Sequence, residues 1–193
     1  MHSLTNDQMQ QKLHGASKCA NKHPLPFFVA PSTLGGLGVF ASRTIAAGEL
    51  ILQFKGEKLD FPTAVALGEA QCYCLQVDRN EYLNLEGPGK LVNHSCMPNA
   101  GVFDDVFLFA LETIGNGIEI LYDYSTTMAE DFWTMQCRCG ALVCRETIRD
   151  FIYLPDVTKA RYLRRGMVQR FIREALQHPN PEQGSRLAMP SRG

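Results

Sequence analysis

The stretch Asn93-His94-Ser95-Cys96-Met97-Pro98-Asn99 puts amide, imidazole, hydroxyl and thiol groups on consecutive positions just ahead of a proline. Alone it reads as a polar turn, in which a single histidine most often serves structure. Its neighbours change that reading. Upstream stands Gly36-Leu37-Gly38-Val39-Phe40, whose paired glycines let a backbone approach a ligand closely. Downstream stands Glu119-Ile120-Leu121-Tyr122-Asp123-Tyr124, followed by Cys137-Arg138-Cys139-Gly140 and Cys144-Arg145.

Each motif has a plainer interpretation. A lone Gly-x-Gly is commonly an ordinary turn between strands. A dinucleotide fold does not suit it, because Val-Phe-Ala and an apolar strand follow where a phosphate-binding helix should begin. Tyr124 could be a buried tyrosine at a strand end. The Cys-x-Cys-x4-Cys run offers three thiolates, whereas a structural zinc wants four, so one ligand is missing locally. Free cysteines are the alternative. Cys72 and Cys74 also form a Cys-x-Cys; alternation puts both on one face of an expected strand, where buried thiols suit them better than a second metal. Cys19 reads as a free thiol.

Bulk properties narrow the classes. The chain has 193 residues, 45% hydrophobic and 20% charged, which fits one domain with tails. A formal charge of -1 argues against direct nucleic-acid binding, which needs a basic footprint. Met1 to Lys22 lacks the apolar centre of a signal peptide, and no run approaches the roughly 20 apolar residues that span a bilayer. A soluble intracellular protein, cytoplasmic or nuclear, without membrane attachment is expected, and seven cysteines with three clustered suit metal ligation in a reducing compartment.

Along the chain, residues 1–25 read as a mobile extension with one capping-box signal, Thr5 and Gln8. Short β-rich segments then predict strands at Leu37 to Ala41, Glu49 to Phe54, Cys72 to Val77, Glu81 to Leu85, Ala100 to Phe103, Val106 to Glu112 and Ile118 to Tyr122. Asp104-Asp105 makes the turn between the fifth and sixth, and a short helix fills Phe61 to Leu67. Asp156 is the expected cap of a helix over Val157 to Arg165, and Met167, Phe171, Ile172, Ala175 and Leu176 recur at helical spacing on a second. Residues 178–193, rich in Pro, Gly, Ser and Arg, read as disordered.

In this order and spacing the motifs resemble the SET domain with its post-SET zinc segment, over roughly Phe28 to Ile148. The resemblance implies a mostly β (α+β) fold, a β-clip of several small sheets. It divides the chain into a SET domain at 26–130, a post-SET zinc segment at 131–150 and C-terminal helices at 151–177. It also implies a pseudoknot, with Leu121 to Tyr124 passing through a loop near Asn93. The implied activity is transfer of methyl groups from S-adenosylmethionine to lysine in protein substrates. Gly36, Leu37 and Gly38 would grip the amino-acid end of the cofactor by their main chain, and Asn93 and His94 its adenine end and polar groups. Tyr124 would direct its hydroxyl at the reacting methyl and nitrogen. Cys96 would join Cys137, Cys139 and Cys144 on one structural zinc, with Arg138, Arg145 and Arg149 offsetting the thiolate charge. Trp133 is either a lid over cofactor or lysine, or ordinary packing.

Chemistry fits this reading. A sulfonium methyl is already activated, so what the site needs is a neutral amine in line with it. A free lysine is neutral in only about one molecule in 2,500 at pH 7, so the site must lower its pKa or select the rare form. By resemblance Tyr122, two positions before Tyr124, holds back later additions and favours mono- or dimethylation. The chain departs from the family at Lys90-Leu91, where Arg-Phe is usual, in a short insert at about Lys55 to Asn80, and in lacking a cysteine-rich pre-SET segment. The substrate, histone or non-histone protein or the chain itself, is left open, and a monomer or weak dimer is expected. The competing reading is a zinc-stabilised interaction module that kept the fold and lost turnover.

Overall fold

The computed structural model describes residues 24–178. The expected N-terminal extension, Cys19 and the Pro-rich tail fall outside the described residues, apart from the inner ends of the two segments.

The first hairpin pairs β1 (Phe27–Pro31) with β2 (Leu37–Ala41). Its turn needs φ of +116° at Gly35 and +62° at Gly36, which side-chain-bearing residues rarely adopt. Gly36 is thus a turn residue, and only Gly38 lies in the strand. A three-stranded sheet follows in the order β3 (Leu50–Gln53), β9 (Phe107–Ala110), β8 (Ala100–Phe103). Phe103 pairs with Phe107 across a three-residue connection, in which Asp104 and Asp105 both take positive φ, +47° and +63°. A second sheet runs β4 (Gly56–Leu59), β6 (Glu81–Leu85), β5 (Cys74–Asp78). Helix α1 (Phe61–Ala66) links its strands, with Asp60 accepting from the Thr63 N–H at 2.9 Å as N-cap.

Two expectations are corrected here. A 3-10 turn over Gly68–Tyr73 takes up Cys72, so the strand begins at Cys74 and the two thiols do not share a strand face. Glycine at 68, with φ +61°, starts that turn. Further on, α2 (Asp156–Arg165) begins with Asp156 inside the helix. Its side chain pairs with Lys159 at 2.9 Å, and Pro155 occupies the cap position without a side-chain bond.

The shortest strands carry the topology. β7 (Asn93–His94) runs parallel to β10 (Leu121–Tyr122), Asn93 opposite Leu121 and His94 opposite Tyr122. Parallel neighbours need a crossover, here the β8–β9 hairpin and its flanking loops. The Asn99 side chain reinforces the pair, accepting from Leu121 N–H at 2.9 Å and donating to Glu119 C=O at 2.8 Å. β11 (Met135–Gln136) and β12 (Thr147–Ile148) then pair antiparallel, so the cysteine segment becomes a loop closed at its base.

Alternation fills the main core with Val39, Ala41, Ile51, Leu75, Val102 and Leu108. A second core forms where α2 and α3 (Arg170–Gln177) pack: Phe103, Phe109, Phe151, Tyr162, Met167 and Phe171. Gly101 permits this approach, since a Cβ there would crowd the Met167 and Leu111 side chains at 3.1 Å. Gly166, φ +69°, ends α2 and turns the chain into α3. No helix among the described residues is long and apolar enough to cross a membrane. Phe171→Ala, by emptying the centre of the second core, should cost about 3–5 kcal/mol of stability, read as a lower urea midpoint at unchanged slope.

Candidate functional site

The parallel β7–β10 pair brings the sequence-singled residues together. Asn93, His94, Tyr124 and Trp133 line a cavity of about 420 Å³, the size of small-molecule sites. Gly36, Leu37 and Gly38 do not line it; their strand reaches its rim through Asn93, whose Nδ2 donates to Leu37 C=O at 3.1 Å. The same Nδ2 donates to Glu119 Oε1 at 2.8 Å, and Ser32 Oγ donates to Glu119 Oε2 at 2.9 Å. Glu119 therefore ties the glycine hairpin to the Asn93 strand. Gly38 is required by this arrangement, because an added Cβ would overlap the Glu119 carboxylate.

A narrower channel adjoins the cavity, walled by Gln71, Tyr82, Tyr122, Tyr124, Glu130 and Trp133. Cys72, Tyr73, Lys90, Tyr124 and Trp133 border both spaces. Tyr124 stands at this junction. Its Oη donates to Val92 C=O at 2.9 Å, which fixes the ring and leaves the oxygen lone pairs for another donor. Burial pushes its pKa well above the ordinary phenol value, so the hydroxyl stays neutral. The Tyr122 ring lies 4.8 Å from it, centroid to centroid.

His94 is buried, and desolvation lowers its pKa to about 4. The ring is neutral. Its Nδ1 accepts from the Tyr124 N–H at 3.2 Å, which assigns the proton to Nε2, 3.3 Å from Cys96 Sγ. The imidazole thus connects the tyrosine segment to the cysteine cluster. Cys96 Sγ lies 3.8 Å from Cys137 Sγ. Four thiolates at about 2.3 Å from a tetrahedral zinc stand about 3.8 Å apart, so the spacing fits that ion. Donor atoms of His94, Cys96, Cys137 and Cys139 all lie within 4.8 Å of one another, and Cys144 makes side-chain contacts with Cys137 and Cys139. Cys144 is the alternative to His94 at the fourth ligand position. To ligate through Nε2, the imidazole would carry its proton on Nδ1 and oppose it to the Tyr124 N–H, donor against donor. Burial pushes the Cys96 thiol up to about 11, whereas a divalent cation would deprotonate it.

Of the three arginines expected around these sulfurs, one reaches them. Arg145 donates its main-chain N–H to Cys96 Sγ at 3.4 Å. Its guanidinium is committed to Asp123, by Nη1 at 2.8 Å and Nη2 at 2.7 Å. Arg149 instead stacks on Tyr153, and Arg138 lines the large cavity. Asp123 is 0% exposed and also accepts from Tyr162 Oη at 2.8 Å and the Ser125 N–H at 3.1 Å. Sequence reasoning missed Asp123, Glu119, Tyr162 and Glu130. The one available signal was an acid wedged between two tyrosines at the end of an apolar strand.

Residues 36–125 match the family model described as the SET domain. The chain belongs to the SET-domain family. The yeast Saccharomyces cerevisiae histone-lysine N-methyltransferase, H3 lysine-4 specific, is 29% identical over 65% of this chain and 13% of its own length. The Drosophila melanogaster histone-lysine N-methyltransferase ash1 is 30% identical over 68% of this chain and 7% of its own. The chain therefore spans a small fraction of the curated relatives it matches. Among solved structures, Arabidopsis thaliana SUVH6 in complex with SAM superposes at TM-score 0.54, 23% identical, covering 65% of this chain and 33% of that one. KRYPTONITE in complex with mCHG DNA and SAH gives 0.53 at 26% identity, covering 67% and 30%. Those likenesses share the SET fold of small sheets described above.

Two outcomes follow for the SET domain. Purified protein should carry one zinc per chain by elemental analysis, and Cys144→Ser should lower both that content and the melting temperature. Arg145→Met, which strands Asp123 in the interior, should cost about 3–5 kcal/mol in denaturant unfolding.

Proposed function

We propose that the chain transfers methyl groups from S-adenosylmethionine to the ε-amine of lysine in a protein substrate, as one or two methyls. The observation that carries this reading is the position of Tyr124, which lines both a cofactor-sized cavity and the narrow aromatic channel beside it. A cofactor and a slender side chain could enter from opposite sides and meet there. Histone lysines are the first substrates to test, since the relatives named above are histone-lysine methyltransferases.

S-adenosylmethionine, when bound, supplies a sulfonium methyl that needs no further activation. Asn93 and His94 would hold it from the β7 side, with the Gly36 to Gly38 hairpin closing the rim, and Trp133 would border both the cofactor and the entering lysine. Lining by phenol rings excludes water and favours a neutral amine over an ammonium. The Tyr124 hydroxyl, neutral and anchored by Val92, would orient that amine's lone pair along the line of attack. Tyr122, whose hydroxyl engages the Thr127 side chain, would narrow the space left after the first methyl. Cys96, Cys137, Cys139 and Cys144 would hold a structural zinc that fixes the wall of the cavity rather than taking part in transfer.

Labelled methyl transfer onto a lysine peptide array tests this reading. Tyr124→Phe should reduce turnover at least ~100-fold while cofactor binding by thermal shift persists. Tyr122→Phe should move the product distribution toward higher methylation in mass spectra. An unaltered distribution removes Tyr122 from the account. Cofactor binding without transfer to any peptide would favour an inactive interaction module instead.

A further inference from the structure

Glu130 belongs to the narrow channel and not to the large cavity, so it sits on the side from which a lysine would enter. Its Oε2 accepts from Tyr82 Oη at 2.6 Å, and the carboxylate also accepts from the Trp133 N–H. Among the described residues, no lysine, arginine or histidine forms an ion pair with it. The titratable groups around it are Tyr82 from β6, Cys74 from β5 and Asp150 from the segment after β12, with Cys72, Tyr73, Tyr122, Tyr124 and Lys90 on the other walls of the channel. Burial first, and then Asp150, raise its pKa above the ordinary glutamate value, against a lowering contribution from the Tyr82 hydrogen bond.

A partly buried carboxylate that lines a cleft with no cation paired to it is a candidate functional group. Gln71 also lines the channel, and its Nε2, a donor buried with no protein partner, calls for an acceptor there rather than a cation. An entering lysine is a cation that must become a neutral amine before it can react. The channel offers one carboxylate to make it so.

We propose that Glu130 takes the proton that the substrate ammonium must lose, directly or through one water, before its nitrogen attacks; this rests on the methyltransferase reading above. The ammonium N–H bond breaks and its proton passes to a Glu130 oxygen, leaving the electron pair on nitrogen. That pair forms the new nitrogen–carbon bond as the carbon–sulfur bond breaks, its electrons remaining on sulfur. The methylated ammonium leaves with its charge, and Glu130 returns its proton to solvent. The carboxylate thereby supplies locally the neutral amine that is only about one part in 2,500 of free lysine at pH 7.

The test compares wild type with Glu130→Gln on a lysine peptide across pH. The variant should turn over roughly 100-fold more slowly at pH 7, and the gap should close to a few-fold near pH 10, where the amine is already largely neutral. A peptide carrying γ-thialysine, whose amine titrates lower, should narrow the gap at pH 7 as well. Without turnover, calorimetry should show wild type binding the lysine peptide more tightly than its norleucine counterpart, and Glu130→Gln binding both alike. Tyr82→Phe, which removes a hydrogen bond that holds the Glu130 pKa down, should shift the acid limb of the rate profile to higher pH. The proposal is overturned by a gap that stays constant from pH 7 to 10, by a Gln variant equal to wild type at pH 7, or by an unmoved acid limb in Tyr82→Phe. A folded wild type that methylates no lysine peptide would remove the methyltransferase reading itself, a result distinct from a failure of Glu130 in an active enzyme.

Discussion

The Asp123 carboxylate is the constraint on which the rest depends. It has no exposed surface, and it is held by two guanidinium bonds from Arg145, a phenol from Tyr162 and a main-chain N–H from Ser125. A buried anion is tolerable only when its acceptor sites are filled, and here the donors come from three separate parts of the chain. Arg145 belongs to the cysteine loop, Tyr162 to α2 and Ser125 to the turn after Tyr124. One charge thereby fixes the relative placement of the cysteine loop, the C-terminal helix and the tyrosine segment. Arg145 also bonds Cys96 through its main chain, so the cysteine cluster and the carboxylate share one anchor residue.

C-terminal packing extends this constraint. Gln169 donates its main-chain N–H to Thr126 C=O at 3.1 Å, and its side chain donates to Gln76 and Asp105 carbonyls at 3.0 Å each. The helices beyond the matched SET region are therefore bonded to the tyrosine turn and to β5, one wall of the channel. Their apolar residues account for the second core, and their polar ones hold the site's outer wall in place.

Much of this could be read from residues. The strands at Leu37–Ala41, Glu81–Leu85 and Ala100–Phe103 have the predicted bounds because alternation and turn residues delimit them on both sides. The Asp104-Asp105 turn was legible for the same reason. What escaped are elements defined by a partner rather than by local pattern. β7 and β10 are two residues each and exist because they face one another, and β1 hides between Pro26 and Pro31. Predicted strands at Val106–Glu112 and Ile118–Tyr122 shortened where the neighbouring strand ends, with Glu119 retaining a single bridge to Phe40. In the site, Cys137, Cys139 and Cys144 stand out by type and spacing, whereas Tyr124, Asn93, His94 and Cys96 follow from the resemblance to the SET family. Asp123, Glu119 and Glu130 act through long-range contacts that one sequence does not display.

The two-residue parallel ladder between Asn93–His94 and Leu121–Tyr122 has a kinetic corollary. Neither segment has any reason to adopt its shape until the hairpin lying between them has condensed, so closure of that ladder belongs late in folding. No excised peptide from this region should retain the geometry, and transplanting the motif to another scaffold would require carrying the whole intervening loop with it. The working centre is thus a property of the completed topology, and it would be among the first things to vanish when that topology loosens.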